Sequence, residues 1–422
     1  MTATLSAPLQ TRAAAPTCRC CGVGLQHTFV DLGMAPLRGR YLHADQLNQM
    51  EPFYPLHVWV CQACFLVQVP ADVTAKQIVR PHANLSASEY WLDHARHYTD
   101  RAIEELRLTP ANLVVQVASH DGYLLQYFVA RGIPVLGIEP AANVAGAAIA
   151  RRVPTRTAFL SCGTARALRR EGIQADLLIG NDVLTEVDDV NEFVTAMKLL
   201  LAPRGVITLE VPHLMRLVAE NQIDTIAHER FSYFSLLAAT HILAKNGLTI
   251  YDVDELDTHG GSLRLFACHS EDPLRPITPR VDTVMARERQ AGVDTLPYYA
   301  QFAERAHESK RKLLDFLIAA KRGGKRIAAY GAPGEGNTLL GYSGIHTDLV
   351  DYTVDRNPDN HGTYLPGTHI PIQPPERIRQ TRPDYVLILP GNLQGQIVPE
   401  LEYIRDWGGR CVVPIPEVHV VR

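Results

Sequence analysis

Short apolar segments alternate with longer segments of mixed polarity through the middle of the chain. The apolar segments are Leu113–Ala118, Val135–Ile138, Leu177–Gly180 and Val206–Leu209. Runs of this length are typical of strands buried on both faces of a parallel sheet, and the intervening segments are long enough for crossover helices. The pattern predicts an open α/β domain whose ligand site lies at the carboxyl ends of its strands.

The same alternation returns near the C-terminus. Arg326–Gly336 reads as a strand that enters a glycine turn, and Thr353–Asp355 and Tyr385–Leu389 read as further strands. These segments predict a second, smaller doubly wound domain, with backbone amides at the start of its first helix available to an anion. Between the two domains, Ser309–Arg322 has leucines at helical spacing among basic residues, which predicts an amphipathic connecting helix with a solvated basic face.

Four of the eight cysteines form two Cys-x-x-Cys pairs, Cys18 with Cys21 and Cys61 with Cys64. Two tight turns of this kind present four thiolates to a tetrahedral zinc ion, and a site with four protein ligands has a structural role. Cys20 leaves open which thiols of the first turn are ligands. The spacing predicts an N-terminal zinc-binding module.

Composition limits the class of protein. The chain has 422 residues, 46% hydrophobic and 20% charged, with a formal net charge of −4. These values indicate a globular protein of two or three domains, for which we predict boundaries at 1–75, 76–300 and 301–422. The charge balance disfavours nucleic acid as a partner, and the absence of an apolar spanning run or a signal-like N-terminus favours a cytoplasmic protein without a membrane partner.

The loops after the first two predicted strands suit an adenosine-containing cofactor. A glycine turn follows the first strand, and Glu139 follows the second, where its carboxylate could accept hydrogen bonds from ribose hydroxyls. Leu199–Leu209, a helix that ends in a Pro-x-Gly turn before a strand, resembles the late part of a class I S-adenosylmethionine-dependent methyltransferase. The predicted cofactor-binding residues are Ser119, His120, Asp121, Gly122, Glu139 and Asn181.

Several longer stretches carry a family resemblance, among them Gly137–Asn143, Pro212–Leu217, Thr258–Arg264 and Pro366–Pro371. In these the chain resembles the three-domain nucleotide-sugar C-methyltransferases of bacterial natural-product pathways. The resemblance implies an N-terminal zinc module, a central domain that binds S-adenosylmethionine and a C-terminal Rossmann-like domain that helps to hold the nucleotide-sugar.

The chain departs from the pattern of this family in the substrate region. Ala83 and Ala87 stand where relatives have tyrosines, and Glu186 stands where they have a histidine. In the segment Ala227–Ser235, Arg230 replaces a histidine that is thought to be the base in relatives. A guanidinium cannot accept a proton at neutral pH.

Further departures lie in the two glycine turns. Gln116 replaces an acidic residue and His120 an asparagine near the cofactor, which predicts weaker cofactor binding. In the C-terminal domain, Glu335 replaces a lysine and Gly391 a tryptophan. A carboxylate at position 335 would repel a nucleotide diphosphate.

The added carboxylates favour an amine-bearing substrate, and Arg230 suits an anionic leaving group. A relative in azinomycin-type antibiotic pathways is associated with aziridine formation, together with a sulfotransferase and an amino acid attached to a carrier protein. We therefore expect a repurposed enzyme that closes a small nitrogen ring by intramolecular displacement and binds S-adenosylmethionine or S-adenosylhomocysteine as a structural ligand. Candidate catalytic residues are Glu229, Asp182, Glu186, Arg230 and His228, and candidate substrate-binding residues are Tyr233, His259, Glu335 and Asn337.

Two alternatives stay open. The first is an ordinary C-methyltransferase acting on a nucleotide-linked keto-sugar, in which His228 or His120 removes the proton next to the carbonyl. The second is a non-catalytic subunit that binds a ligand or activates a partner enzyme.

Overall fold

Three β-sheets organise the residues that the computed structural model describes, which are 16–71, 85–331 and 334–421. The first sheet is antiparallel and has the order β1, β2, β3, β9. Its strands are β1 (His27–Ala35), β2 (Tyr54–Val60), β3 (Val67–Gln68) and β9 (Ser232–Tyr233). The last of these comes from the segment 227–235, so this segment pairs with the N-terminal sheet through β9. Its Phe234 also forms a parallel bridge with His213, directly after β8 (Leu201–Pro212) of the central sheet.

The central sheet has the order β10, β11, β8, β7, β4, β5, β6. Strands β6, β5, β4, β7 and β8 are parallel, and β11 is antiparallel to both of its neighbours. The bounds are β4 (Val114–Val117), β5 (Val135–Ile138), β6 (Thr155–Arg156), β7 (Ala175–Asn181), β8 (Leu201–Pro212), β10 (Leu248–Leu256) and β11 (Ser262–His269). The predicted open α/β sheet is confirmed.

Helices cover both faces of this sheet, as the uniformly apolar strands require. Val114 packs with residues of the first three helices, whereas its neighbour Val115 packs with residues of α4, α5 and α7 on the opposite face. The helices are α1 (Glu89–Leu106), α2 (Leu125–Ala130), α3 (Ala142–Ala150), α4 (Cys162–Arg170), α5 (Val190–Leu200), α6 (Leu214–Ala219), α7 (Leu236–Lys245), α8 (Pro279–Ala291), α9 (Leu296–Ala300), α10 (Phe302–Arg322), α11 (Gly334–Ser343), α12 (Glu376–Thr381) and α13 (Gln394–Glu400).

The C-terminal sheet is the predicted second doubly wound unit. Its order is β14, β13, β12, β15, β16, β17, parallel except for the last pair. The strands are β12 (Ile327–Tyr330), β13 (Thr353–Val354), β14 (Ile372–Gln373), β15 (Tyr385–Ile388), β16 (Arg410–Val413) and β17 (His419–Val420).

The connecting helix α10 begins earlier than its leucine spacing predicts and packs on the N-terminal sheet. Phe302 stacks on Phe29 of β1, with ring centroids 4.4 Å apart and planes 7° apart. Leu313 and Leu317 are buried further along the same face. The N-terminal and C-terminal parts therefore share one apolar core, while the boundaries at 75 and 300 stay predictions.

Among the described residues, none of the helices is both long and apolar enough to cross a bilayer.

Candidate functional site

The zinc-binding thiols come together. The Sγ atoms of Cys18, Cys21, Cys61 and Cys64 all lie within 4.8 Å of one another, as a tetrahedral ion requires. Gln68 donates its side-chain N–H to Sγ of Cys18 at 3.2 Å, and such outer contacts orient metal ligands. Cys20 is buried but stands outside this group, so the Cys18–Cys21 pair supplies the ligands of the first turn.

The first zinc turn is docked on the central domain. The side-chain amide of Asn191 donates to the carbonyl oxygens of Arg19 and Cys20 at 2.7 and 3.0 Å. In return, Nη1 of Arg19 donates to the carbonyl of Asp188 at 2.9 Å. Because Asp188 lines the large cavity described next, the metal site supports one of its walls.

A cavity of about 1440 Å³ lies where the three sheets meet. The N-terminal part contributes Arg38–Tyr41 and His43, and the C-terminal part contributes Gly334, Glu335 and four of the residues from Asn357 to Thr363. The remaining wall is formed by the ends of β4, β5, β7 and β8 and the loops that follow them. Its volume exceeds that of a typical site for one small molecule, so two ligands can share it.

Glu139 presents a fixed carboxylate on the side of β4 and β5. Its Oε2 accepts a hydrogen bond from the backbone N–H of His120 at 3.1 Å, and its Oε1 accepts one from Ala141 at 2.9 Å. Each carboxylate oxygen has a further lone pair, and the residue lines the cavity. Burial lowers the pKa of His120, which also lines the cavity and carries no charge of its own near neutral pH.

The six predicted cofactor residues divide into two groups. His120, Glu139 and Asn181 line the cavity, whereas Ser119, Asp121 and Gly122 build the turn beneath it. Asp121 pairs with Nη1 of Arg151 at 2.7 Å instead of facing a ligand. Gly122 has a φ of +80°, and a Cβ there would lie 3.0 Å from Cγ2 of Val153, so the turn needs glycine.

Sequence reasoning missed an apolar wall after β6. It comprises Ala158, Phe159 and Leu160, followed by Ser161, and Phe159 is 42% exposed although it is a large hydrophobic residue. A ring of this exposure close to the Glu139 carboxylate offers a surface on which a flat base could stack. Strand β6 has only two residues, which is too short for a recognisable period, so the sequence carries no signal for this wall.

Asp182 and His259 form a close pair at the cavity, with 2.5 Å between Oδ2 and Nε2. Both have left-handed backbones, with φ of 58° and 53°, a sparsely populated conformation for residues other than glycine. Burial disfavours the charged form of both residues, but their attraction to each other outweighs this cost. His259 therefore lowers the pKa of Asp182, and Asp182 raises the pKa of His259 above its usual 6.5. The sequence singled out both residues without predicting their contact.

Glu210 anchors the neighbouring strand β8. Its Oε2 accepts hydrogen bonds from Arg264 at 2.7 Å and is 3.0 Å from Nε2 of His94, while Thr258 donates to Oε1 at 2.7 Å. Burial disfavours this carboxylate, but His94 and Arg264 outweigh the penalty and lower the pKa of Glu210 to about 2. The network fixes the loop that carries His259.

The segment 227–235 delivers two charged residues to the cavity. Glu229 accepts a hydrogen bond from Nε of Arg38 at 3.0 Å, and Glu335 lies 3.8 Å from Nη1 of the same guanidinium. Arg230 lines the cavity with 8% of its surface exposed and has no carboxylate within 4 Å among the described residues. It nevertheless acts electrostatically on Asp182 and Glu335. Arg230 is thus a buried cation turned toward the cavity.

Other predicted residues lie elsewhere. His228 faces the backbone, with Nε2 3.3 and 3.1 Å from the carbonyl oxygens of Tyr54 and Pro55, and it is not part of the cavity lining. Tyr233 accepts from the N–H of Ala227 at 3.0 Å, and Asn337 is buried in α11. Glu186 lines the cavity, whereas Ala83 is outside the described residues.

Comparison with known proteins matches nearly the whole chain. A family described as a putative zinc binding domain matches residues 18–78, and a methyltransferase domain matches 91–253. A C-methyltransferase C-terminal domain matches 257–416. C-methyltransferase NovU of Streptomyces niveus is 33% identical over 406 residues, which are 96% of this chain and 96% of NovU. The chain belongs to this C-methyltransferase family.

The fold of the central domain agrees with this family assignment. Its sheet and covering helices form a class I methyltransferase fold of the Rossmann type. The assignment also makes the methyltransferase family, rather than a dinucleotide enzyme, the correct interpretation of the turn before Glu139.

Solved structures give weaker likenesses. The glycopeptide N-methyltransferase MtfA, complexed with S-adenosyl-L-methionine, is 13% identical, with a TM-score of 0.33, and the match covers 42% of this chain and 93% of MtfA. The magnesium protoporphyrin IX methyltransferase ChlM of Synechocystis PCC 6803 is 17% identical, with a TM-score of 0.35, over 48% of this chain and 100% of ChlM. Both likenesses are too weak to carry an argument about this chain.

Proposed function

We propose that this protein is an S-adenosylmethionine-dependent C-methyltransferase that acts on a nucleotide-linked keto-sugar in bacterial natural-product biosynthesis. The observation that carries the proposal is the full-length relationship to a C-methyltransferase, at 33% identity over 96% of both chains. Ring closure without methyl transfer has less support, because both the matched C-terminal domain family and the full-length relative are described as C-methyltransferases.

The cavity can hold the cofactor on its Glu139 side. The carboxylate there is held by two backbone amides, and the buried Oδ1 of Asn181 has no hydrogen-bond partner among the described residues. An unpartnered buried oxygen is costly unless a ligand donates to it. A bound S-adenosylmethionine would supply an electrophilic methyl group. Together with the apolar wall at Phe159, these residues fit that cofactor.

The opposite side of the cavity suits the substrate. Glu335 would repel a diphosphate if its charge were isolated, but Arg38 lies 3.8 Å away. Burial opposes ionisation of Glu335, yet Arg38 and then Arg230 outweigh it and keep the pKa of Glu335 low. Arg38 thus offsets part of the negative charge of Glu229 and Glu335 on this wall. The nearby guanidinium lessens the repulsion between Glu335 and the diphosphate of a sugar nucleotide.

The test is methyl transfer from labelled S-adenosylmethionine to a panel of nucleotide-linked keto-sugars. We expect one of them to accept the label at a carbon next to its carbonyl. Failure of the whole panel, with a folded protein that binds the cofactor, would count against the proposal. Glu171→Gln, an exposed change at a residue paired with Arg156, provides a control variant that should transfer methyl normally.

One observation favours a second function. Arg230 is a buried cation that faces the cavity without an ion-pair partner within 4 Å in the described part of the chain. Its planar guanidinium suits an anionic leaving group such as sulfate, and Asp182 or Glu229 could take the proton of an attacking amine. This is the chemistry of aziridine-type ring closure on a carrier-bound amino acid that a sulfotransferase has activated.

A sulfated diamino substrate distinguishes the two functions. Ring closure predicts release of sulfate without consumption of S-adenosylmethionine, and Glu229→Gln or Asp182→Asn should abolish that release. Methyl transfer predicts no sulfate release from this compound. Folded protein that does neither, but binds a partner enzyme and raises its rate, would support the activating subunit instead.

A further inference from the structure

The pair formed by Asp182 and His259 has the geometry of a base and its orienting acid. Nε2 of the imidazole lies 2.5 Å from the carboxylate, and Nδ1 makes no hydrogen bond among the described residues. His259 lines the cavity, where the Trp91 ring covers it at 5.1 Å between centroids. An imidazole held at one nitrogen and open at the other is the recurring arrangement for proton abstraction.

Three other candidate bases are less suitably placed than His259. His228 directs Nε2 at two backbone carbonyls and does not line the cavity. Glu229 is held by Arg38 at 3.0 Å. His120 lies on the cofactor side, between the turn and Glu139.

We propose that His259 is the base that removes the proton from the substrate carbon next to the carbonyl, and that Asp182 is the positioning residue that fixes its ring. The inference rests on the proposed methyl transfer. The C–H bond breaks, its proton moves to Nδ1 of His259, and its electron pair enters the enolate. The Nε2–H stays donated to Asp182.

Arg230 completes the arrangement. It acts electrostatically on both Asp182 and His259, so its guanidinium lies in the same region of the cavity. The enolate oxygen that forms when the proton leaves is an anion, and Arg230 is the cation available to stabilise it. The enolate carbon would then form a C–C bond with the methyl group that S-adenosylmethionine supplies when bound, as the S–CH3 bond breaks and S-adenosylhomocysteine is left. His259 afterwards releases its proton to solvent.

The pH dependence of the rate follows from the charges around the imidazole. Burial lowers the pKa of His259, but Asp182 raises it by more. Arg230 also lowers this pKa, and Glu210 raises it. Glu335 of α11 also interacts with this ring. Because the base must be neutral, kcat should rise with pH as His259 loses its proton. The midpoint of this rising limb of the kcat–pH profile should lie above pH 6.5. Asp182→Asn removes the nearest negative charge, so the limb should move to lower pH while the plateau falls.

The experiment follows deuterium exchange from solvent into the carbon next to the carbonyl of the best keto-sugar acceptor, with S-adenosylhomocysteine in place of the donor. His259→Gln should lower both exchange and methyl transfer by roughly 10²–10⁴-fold. Asp182→Asn should lower the plateau by ~10-fold or more and shift the limb downward. Asp257→Asn, the same charge change at an exposed position near His259, should change neither.

The outcomes separate the inference from the function on which it rests. If the wild type transfers methyl but His259→Gln exchanges deuterium at the wild-type rate, His259 is not the base and the methyltransferase stands. If Asp182→Asn lowers the rate without moving the limb, its role is structural only and the pair is refuted. If the folded wild type transfers methyl to no keto-sugar, the function and the inference fail together. Binding of S-adenosylhomocysteine by each variant verifies folding.

Discussion

Arg38 and Glu229 form a buried ion pair, with 3.0 Å between Nε and Oε2 and 6% of each side chain exposed. Arg38 belongs to the N-terminal part of the chain, and Glu229 belongs to the segment that ends in β9. Because Glu335 of α11 lies 3.8 Å from the same guanidinium, one cation connects three parts of the molecule around the cavity. Burial disfavours the cation, but Glu229 and Glu335 outweigh it and raise the pKa of Arg38.

Replacing one residue of this ion pair should lower the free energy of unfolding more, per residue replaced, than replacing both. Arg38→Met leaves the Glu229 carboxylate buried without its main partner, so we expect a loss of roughly 3–5 kcal/mol in the free energy of unfolding. Arg38→Met combined with Glu229→Gln should lose less than the sum of the two single variants. Urea unfolding of the four proteins measures this, and strict additivity would show that the two residues do not interact energetically.

Zinc removal should act on the cavity as well as on the N-terminal module. The first zinc turn holds Asn191 and Asp188, and Asp188 lines the cavity. Cys21→Ser should therefore lose the metal, lower the melting temperature and reduce methyl transfer. Zinc content, thermal unfolding and activity are the measurements.

Cys20→Ser is the matched control for this variant. Cys20 neighbours Cys21 in the same turn but stands outside the four clustered thiols. The Cys20→Ser variant should keep one zinc ion per chain. Loss of zinc from Cys20→Ser and retention by Cys21→Ser would show that the ligand assignment is reversed.

Asp224 should destabilise the protein at neutral and higher pH. Burial, with the charge of Glu335, raises the pKa of Asp224 from 3.8 to about 7. The folded state thus binds a proton more tightly than the unfolded state between these values, so stability falls as pH rises through that window. Above about pH 7, the full loss in the free energy of unfolding is on the order of 4 kcal/mol.

Asp224→Asn removes the ionisation and keeps the shape. It should stabilise the protein by a few kcal/mol at about pH 8 and by little at about pH 4, as followed by urea unfolding at both values. Asp257→Asn provides an exposed carboxylate as control. Equal effects of Asp224→Asn at the two pH values would refute the assignment.

Periodicity in the sequence was sufficient to predict β4, β5, β7 and β8 of the central sheet and β12, β13 and β15 of the C-terminal sheet, because each contains a short apolar run. It did not predict β6, β14 or β16. It could not reveal that Ser232–Tyr233 pairs with Val67–Gln68, since two-residue strands have no period. The zinc ligands were predictable because two Cys-x-x-Cys turns carry the chemistry in their spacing.

The sequence was sufficient to identify several residues of the site but not the contacts between them. Asp182 and Arg230 were candidate residues from the sequence, whereas the approach of Asp182 to His259 depends on two left-handed backbones in separate loops. His228 illustrates the opposite case. It adjoins Glu229 in the sequence, yet the short turn directs its ring at the carbonyls of Tyr54 and Pro55, so it is absent from the cavity lining.

Glu139 should determine cofactor affinity. Its carboxylate is fixed by two backbone amides and faces the cavity. A hydrogen bond to a charged group contributes ~1.5–3 kcal/mol, so Glu139→Gln should weaken binding of S-adenosylhomocysteine by roughly 10–100-fold. Isothermal titration calorimetry measures this, with Glu171→Gln as the control. Unchanged affinity would place the cofactor elsewhere in the cavity.

Arg230 and Arg38 form a matched pair of buried arginines, each with 8% of its surface exposed. Arg38 has two carboxylates within 4 Å, whereas Arg230 has none among the residues that the structure describes. Arg38→Gln should therefore lower stability more than Arg230→Gln. The reverse holds for catalysis, because Arg230, unlike Arg38, is not paired with a described carboxylate within 4 Å and can face a developing oxyanion. Loss of one such group costs ~10²–10³-fold in kcat. Urea unfolding and steady-state kinetics on both variants test the contrast, and a larger catalytic loss from Arg38→Gln in folded protein would contradict it.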